Sequence, residues 1–191
     1  MSRFQLTALA LSSFALATPG VADDVSDSLT AALAAYDAGD LRTTTAQLAA
    51  ATVAVSQKKT ALLEAILPPV PEGWTREVNS DYSAGIAMMG GGTGTEASYS
   101  DANGNRISVN YTMDSPMLAM MIGMFASGQT MAMMGSTVDV NGVKMVDQDN
   151  SLVTVVDGRI LVQINGDQTE KLLPLAKTID WDALAAFDVP K

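Results

Sequence analysis

Residues 68–74 read PPVPEGW. Three prolines in four positions cannot continue a helix, because proline lacks the backbone N–H and its ring clashes with the preceding turn. They stiffen the chain into an extended connector. The stretch separates two kinds of sequence. Before it, apolar residues recur at helical spacing; after it, they alternate with period two. The pattern predicts an α+β fold, with an N-terminal antiparallel helical hairpin over 23–67, the connector over 68–74, and an antiparallel β-sheet domain with packed helices over 75–191.

Working back from Pro68, Leu29, Ala32, Leu33 and Tyr36 fall on one helical face, with Ser26 or Asp27 as cap and Gly39 as stop. Asp40 can cap a second helix that runs to about Leu67. Its apolar stripe is Leu41, Leu48, Val55 and Leu62, spaced by seven, with Ile66 following. The stretch LAAYDAGDLRTTTAQLAAA (33–51) is similar to one tetratricopeptide helix pair. No second copy follows at the repeat spacing, and a stack needs at least about three repeats, so a single coiled hairpin is the reading. Ser56-Gln57-Lys58-Lys59 matches the S-x-x-K string of penicillin-recognising enzymes, but Lys177-Thr178 is followed by isoleucine where the partner motif needs glycine. The string reads as part of a solvated helix face.

Working forward, three hairpins are written in the turns. Asn141-Gly142 pairs Val140 with Val143, Val138 with Met145 and Asp139 with Lys144. Ala102-Asn103-Gly104 is a three-residue loop with a left-handed glycine. It pairs Tyr99 with Ile107, Ala97 with Val109, Ser98 with Ser108 and Ser100 with Arg106; a two-residue loop would set Ser98 against Val109. In VTVVDGRILVQI (153–164), a two-residue Asp157-Gly158 turn pairs Val155 with Ile160 and Val153 with Val162. The chain ends in helical pieces around Leu172, Leu173, Leu175 and Ala176, shortened by Pro174, and from Trp181 to Phe187 with Asp180 as cap.

Between the Ala102–Gly104 and Asn141–Gly142 hairpins lies MDSPMLAMMIGMFASGQTMAMMG (113–135), with eight methionines. Pro116 suits a first helical position, and the helix that follows has no polar face, so it is buried or meets a partner. Soft thioethers of Met117, Met120, Met121 and Met124 at helical spacing could hold copper(I). Met117, Met121, Met124 and Phe125 could instead form an adaptable surface for an envelope protein or a small apolar ligand. The reading adopted is apolar filling between layers, with partner contact compatible and copper(I) binding as the alternative function.

The N-terminus, MSRFQLTALALSSFALATPGVADD, has one positive charge, a short apolar run and small residues before Ala22. It predicts a secretory signal peptide cleaved near Ala22, and the run is too short for a bilayer span. Eleven basic residues face twenty-one acidic ones, a net charge of −10, which disfavours nucleic acid and anionic lipid. There is no cysteine and no histidine. Disulfides are absent, and so are the commonest general base and metal ligand. The glycine-rich run Met88–Gly94 lacks the lysine of a phosphate loop and reads as a loop or a bulged strand start. Asp101, Asn103 and Asn105 resemble the start of a calcium loop, but the glycine is misplaced and Thr112 stands where its glutamate belongs. No catalytic residue and no cofactor is expected.

Taken together, LLEAILPPVPEGW (62–74), a glycine-rich strand, DSPML (114–118) with its methionine-rich helix, and VVDGRILVQINGD (155–167) resemble a group of secreted proteobacterial proteins of unknown function. The resemblance implies a periplasmic location and carries no catalytic residues. The order of elements after Trp74 is loosely similar to α/β/α sandwich domains of the PsbP-like type, which are mostly non-enzymatic accessory modules. The expectation is a non-catalytic periplasmic binding or accessory protein.

Overall fold

The computed structural model describes residues 23–88, 91–116, 118–119 and 135–189. It is an α+β fold, and the chain forms two compact units that divide between Ala51 and Thr52, within a helix.

The first unit holds α1 (Asp24–Asp37) and the start of α2 (Leu41–Ala65). Asp23, not Ser26 or Asp27, caps α1: its carboxylate accepts from the amides of Val25 and Ser26 at 3.1 and 3.0 Å. Gly39 closes the helix in the left-handed region, φ 77°, where its amide and that of Asp40 reach back to Tyr36 and Ala35. Asp40 caps α2 as expected, accepting from the Thr43 amide at 3.0 Å and its hydroxyl at 2.7 Å; those bonds hold its carboxyl below the ordinary range. The apolar stripes are buried only in part, Ala32 being the one member of the expected α1 face that is. Ala32 and Ala51 are buried, while Leu29, Leu33, Leu41 and Leu48 are each about half or more exposed.

The second unit is built on a seven-stranded antiparallel sheet. Its strands are β1 (Trp74–Val78), β2 (Thr93–Asp101), β3 (Arg106–Met113), β4 (Ser136–Val140), β5 (Val143–Asp147), β6 (Ser151–Val156) and β7 (Ile160–Asn165), in the order β1-β2-β3-β7-β6-β5-β4. Among the described residues α3 (Tyr82–Met88), α4 (Thr169–Ala176) and α5 (Trp181–Ala185) accompany them. On one face, Tyr99, Val109, Tyr111, Met113, Leu152, Ile160, Val162 and Ile164 form the core with Leu63 of α2, Leu67 just past its end, Leu172 and Leu175 of α4, and Leu184 of α5. At about 1.5–3 kcal/mol for each buried aliphatic or aromatic side chain, this layer is the main source of stability. Leu63 takes the inward place that Leu62 was expected to hold, because the sheet lies about 100° round the helix from the stripe, while Ile66 packs partly buried against the same core.

The β2–β3 and β4–β5 registers match the expected pairs residue for residue. The β6–β7 register does not. Val156 faces Ile160, Thr154 faces Val162 and Leu152 faces Ile164, one place from the two-residue turn. Asp157 and Gly158 are left-handed, at φ 50° and 63°, and the Arg159 amide closes the turn on the Val156 carbonyl at 3.0 Å. Arg159 is thereby pulled out of the ladder. Its guanidinium donates to the Phe187 and Ala185 carbonyls at 2.9 and 3.0 Å, at the C-terminal end of α5, and to Asp157 at 3.1 Å. Both strands are apolar on both faces, so the alternation could not choose between registers.

Val153 and Leu161 point to the other face, where they bury Leu118. The Ala119 amide bonds to the Ser115 carbonyl at 3.2 Å, a helical turn that carries Leu118 on the side of the sheet away from Leu63. The last two residues of the glycine-rich run, Thr93 and Gly94, begin β2. Tyr82 and Ile86 of α3 lie directly on Gly94, and a side chain there would collide with Ile86 at 2.9 Å and with the Tyr111 carbonyl. Among the described residues, no helix is long and apolar enough to cross a membrane.

Candidate binding cleft

The proline connector does more than join two elements. Pro68 is buried, and its carbonyl accepts from the Tyr99 hydroxyl at 2.7 Å and from Arg76 at 3.2 Å. With its start anchored, the connector turns at Pro71-Glu72-Gly73-Trp74. The Trp74 amide donates to the Pro71 carbonyl at 3.0 Å, and Gly73 has φ 77°, the left-handed third position of a type II turn. The turn delivers Trp74 to the first place of β1, opposite Asp101.

A cleft of about 420 Å³ lies beside this turn. Pro69, Val70, Pro71 and Trp74 form one wall. Lys171, Pro174 and Leu175, at i, i+3 and i+4 on α4, form the second with Thr178, and Asn105, Arg106 and Ile107 at the start of β3 form the floor with Asp167. A concave, mainly apolar surface with a few convergent polar groups is the usual form of a small-molecule site. The walls are pre-set. Lys171 donates to the Asn105 side-chain oxygen at 3.2 Å, and the Asn105 side-chain amide donates to Asp101 at 2.7 Å. Asp101 also accepts from the backbone amides of Asn103 and Asn105, and these bonds, those from Asn105 foremost, hold its carboxyl below the ordinary range. The calcium-like string is therefore a hairpin turn whose carboxylate is occupied by its own loop.

A second hollow, of about 630 Å³, lies between α2, α3 and Gly91–Thr93. It contains Ser56 and Lys59 of the S-x-x-K string, which are partly buried, not part of a solvated face. Its polar groups bond to one another. Ser56 pairs with Thr93 at 2.8 Å and Thr60 with Ser83 at 3.0 Å, while Lys59 binds Asp188 and Asp114 at 2.7 and 2.9 Å. Burial works against the Lys59 charge, but the bonds to Asp188 and Asp114 outweigh it and raise its pKa. A lysine held protonated by two carboxylates cannot serve as a base for Ser56, so the string has no catalytic geometry.

Met117, Met120, Met121, Met124 and Phe125, the candidates for copper or partner contact, lie outside the described residues. Sequence reasoning missed the cleft. Its signals were a tryptophan at the end of a proline run and a proline at the middle of a helix, and neither is a motif. No family model, curated protein or solved structure matches this chain.

Proposed function

We propose that the protein is a non-catalytic binding or accessory protein of the periplasm that holds a small apolar ligand in the cleft between the proline connector and α4. One observation carries this reading: an indole, three prolines, Val70, Ile107 and Leu175 converge on a hollow of about 420 Å³ whose walls are fixed by hydrogen bonds behind them. The chemistry of the chain supports the non-catalytic part. It has neither histidine nor cysteine, and its one serine–lysine pair at helical spacing is committed to structural bonds. Export is supported by the apolar run after Arg3 and the small residues before Ala22.

An NMR titration with 1-octanol tests the role. The Trp74 indole resonance, assigned with Trp74→Phe, is expected to shift saturably while that of buried Trp181 stays in place. Val70→Glu, which puts a charge in the apolar wall, should weaken binding at least about tenfold. A Trp74 resonance unmoved by octanol would remove the cleft from the account.

A further inference from the structure

The charges of the cleft run against those of the chain. With twenty-one acidic residues to eleven basic, an average hollow on this protein would be rimmed by carboxylates. Here two of the three charged lining residues, Arg106 and Lys171, are cations, and both are exposed. Arg106 forms no side-chain hydrogen bond or ion pair among the described residues, so its five donors face no protein acceptor. Lys171 donates only to a neutral amide oxygen, that of Asn105 at 3.2 Å. Asp167, the one acid of the lining, is within ion-pair distance of neither.

We propose that the cleft binds an apolar molecule bearing a single carboxylate, with its body against Trp74, Pro174 and Leu175 and its carboxylate at Arg106 and Lys171. The proposal rests on the binding role given to the cleft. A guanidinium presents paired donors in the plane that a carboxylate accepts, and charge-assisted bonds of this kind are about twice as strong as neutral ones. Lys171 adds a point charge held in place by Asn105.

Octanoate and 1-octanol separate the two claims, because they differ only in the head group. In the NMR titration of the full chain at neutral pH, octanoate should bind at least about tenfold more tightly than octanol. The Arg106→Gln, Lys171→Gln double variant should bring octanoate to the affinity that octanol shows in the same variant. In the wild type, added salt should weaken octanoate and spare octanol, a result that does not depend on how the variant folds. Octanoate and octanol binding equally well would overturn the carboxylate assignment and keep the apolar cleft. Octanoate bound undiminished by the double variant would overturn it too. If neither probe moves Trp74, both readings fall together.

Discussion

The Tyr99 hydroxyl donates to the Pro68 carbonyl at 2.7 Å from a fully buried ring. This bond joins a central strand of the sheet to the start of the proline connector, so the core itself holds one wall of the cleft. Burial raises the phenol's pKa, in keeping with a hydroxyl kept as a donor. Tyr99→Phe should cost about 1 kcal/mol, since Pro68 keeps its bond from Arg76 and one neutral hydrogen bond is lost. The checks are the urea midpoint at unchanged slope and a weaker octanol titration. Loss of stability with unchanged octanol binding would separate the core from the cleft.

Tyr111 is the opposite case. It is fully buried beside Thr95 in the ladder, and its hydroxyl has no hydrogen-bond partner among the described residues. Tyr111→Phe removes an unmatched polar group and should stabilise the protein by about 1 kcal/mol at neutral pH.

The pH dependence follows from the same groups. Burial raises the phenols of Tyr99 and Tyr111, so the folded chain keeps protons that the unfolded chain loses near pH 10. The unfolded state then binds fewer protons, and stability falls as pH rises above about 10. Lys59, whose folded pKa is also raised, loses its contribution in the same direction, above the ordinary 10.5. Asp40 and Asp101, lowered by their turn and cap bonds, contribute above the ordinary 3.8 and lose that contribution as pH falls below it. With no histidine or cysteine, thermal midpoints should be level from about pH 5 to 9, drop on both sides, and drop less on the alkaline side in Tyr111→Phe. A step near pH 6.5 would contradict this.

Adjacent leucines of α2 offer a test of which helix face matters. Leu63 is fully buried under the sheet, whereas Leu62, a member of the seven-spaced stripe, is 60% exposed. Leu63→Ala should cost about 2–5 kcal/mol, and Leu62→Ala no more than about 0.5 kcal/mol, measured by denaturant unfolding. Equal costs would restore the stripe as a buried seam.

The features legible in the sequence were those where polar and apolar residues take opposite faces. Ser98 opposite Ser108 and Asp139 opposite Lys144 left one register each for β2–β3 and β4–β5. Val153, Val155 and Leu161 gave no such contrast, and Arg159 settled β6–β7 by reaching carbonyls 26 and 28 residues away, a contact outside any local pattern. The cleft was hidden for the same reason. Trp74, Arg106 and Lys171 come from three separate segments, and only the docking of α4 beside the connector makes them neighbours. Ser56 and Lys59 looked solvated because Thr93, Asp114 and Asp188, which bind them, are all distant in sequence.

Two glycines show how α3 shaped the chain around β2. Gly94 lies in the strand, beneath Tyr82 and Ile86, and an added methyl group would meet Ile86 at 2.9 Å and the Tyr111 carbonyl of the neighbouring strand. That carbonyl belongs to the β2–β3 ladder and cannot withdraw without disturbing it. Gly94→Ala should therefore cost about 1–3 kcal/mol by overpacking, and the Tyr82–Thr112 hydroxyl contact of 3.0 Å should be lost as α3 lifts. Gly85 sits within α3 itself, has no atom within 4 Å of an added methyl group, and does not occupy the left-handed region. Gly85→Ala should stabilise the protein by about 0.5–1 kcal/mol, because alanine loses less backbone freedom in a helix. Opposite signs in thermal unfolding are expected from the same substitution made in the packed strand and at an open position of the helix that covers it. If Gly94→Ala were neutral, α3 would not rest on the strand, and the reason for glycine at that position would have to lie elsewhere.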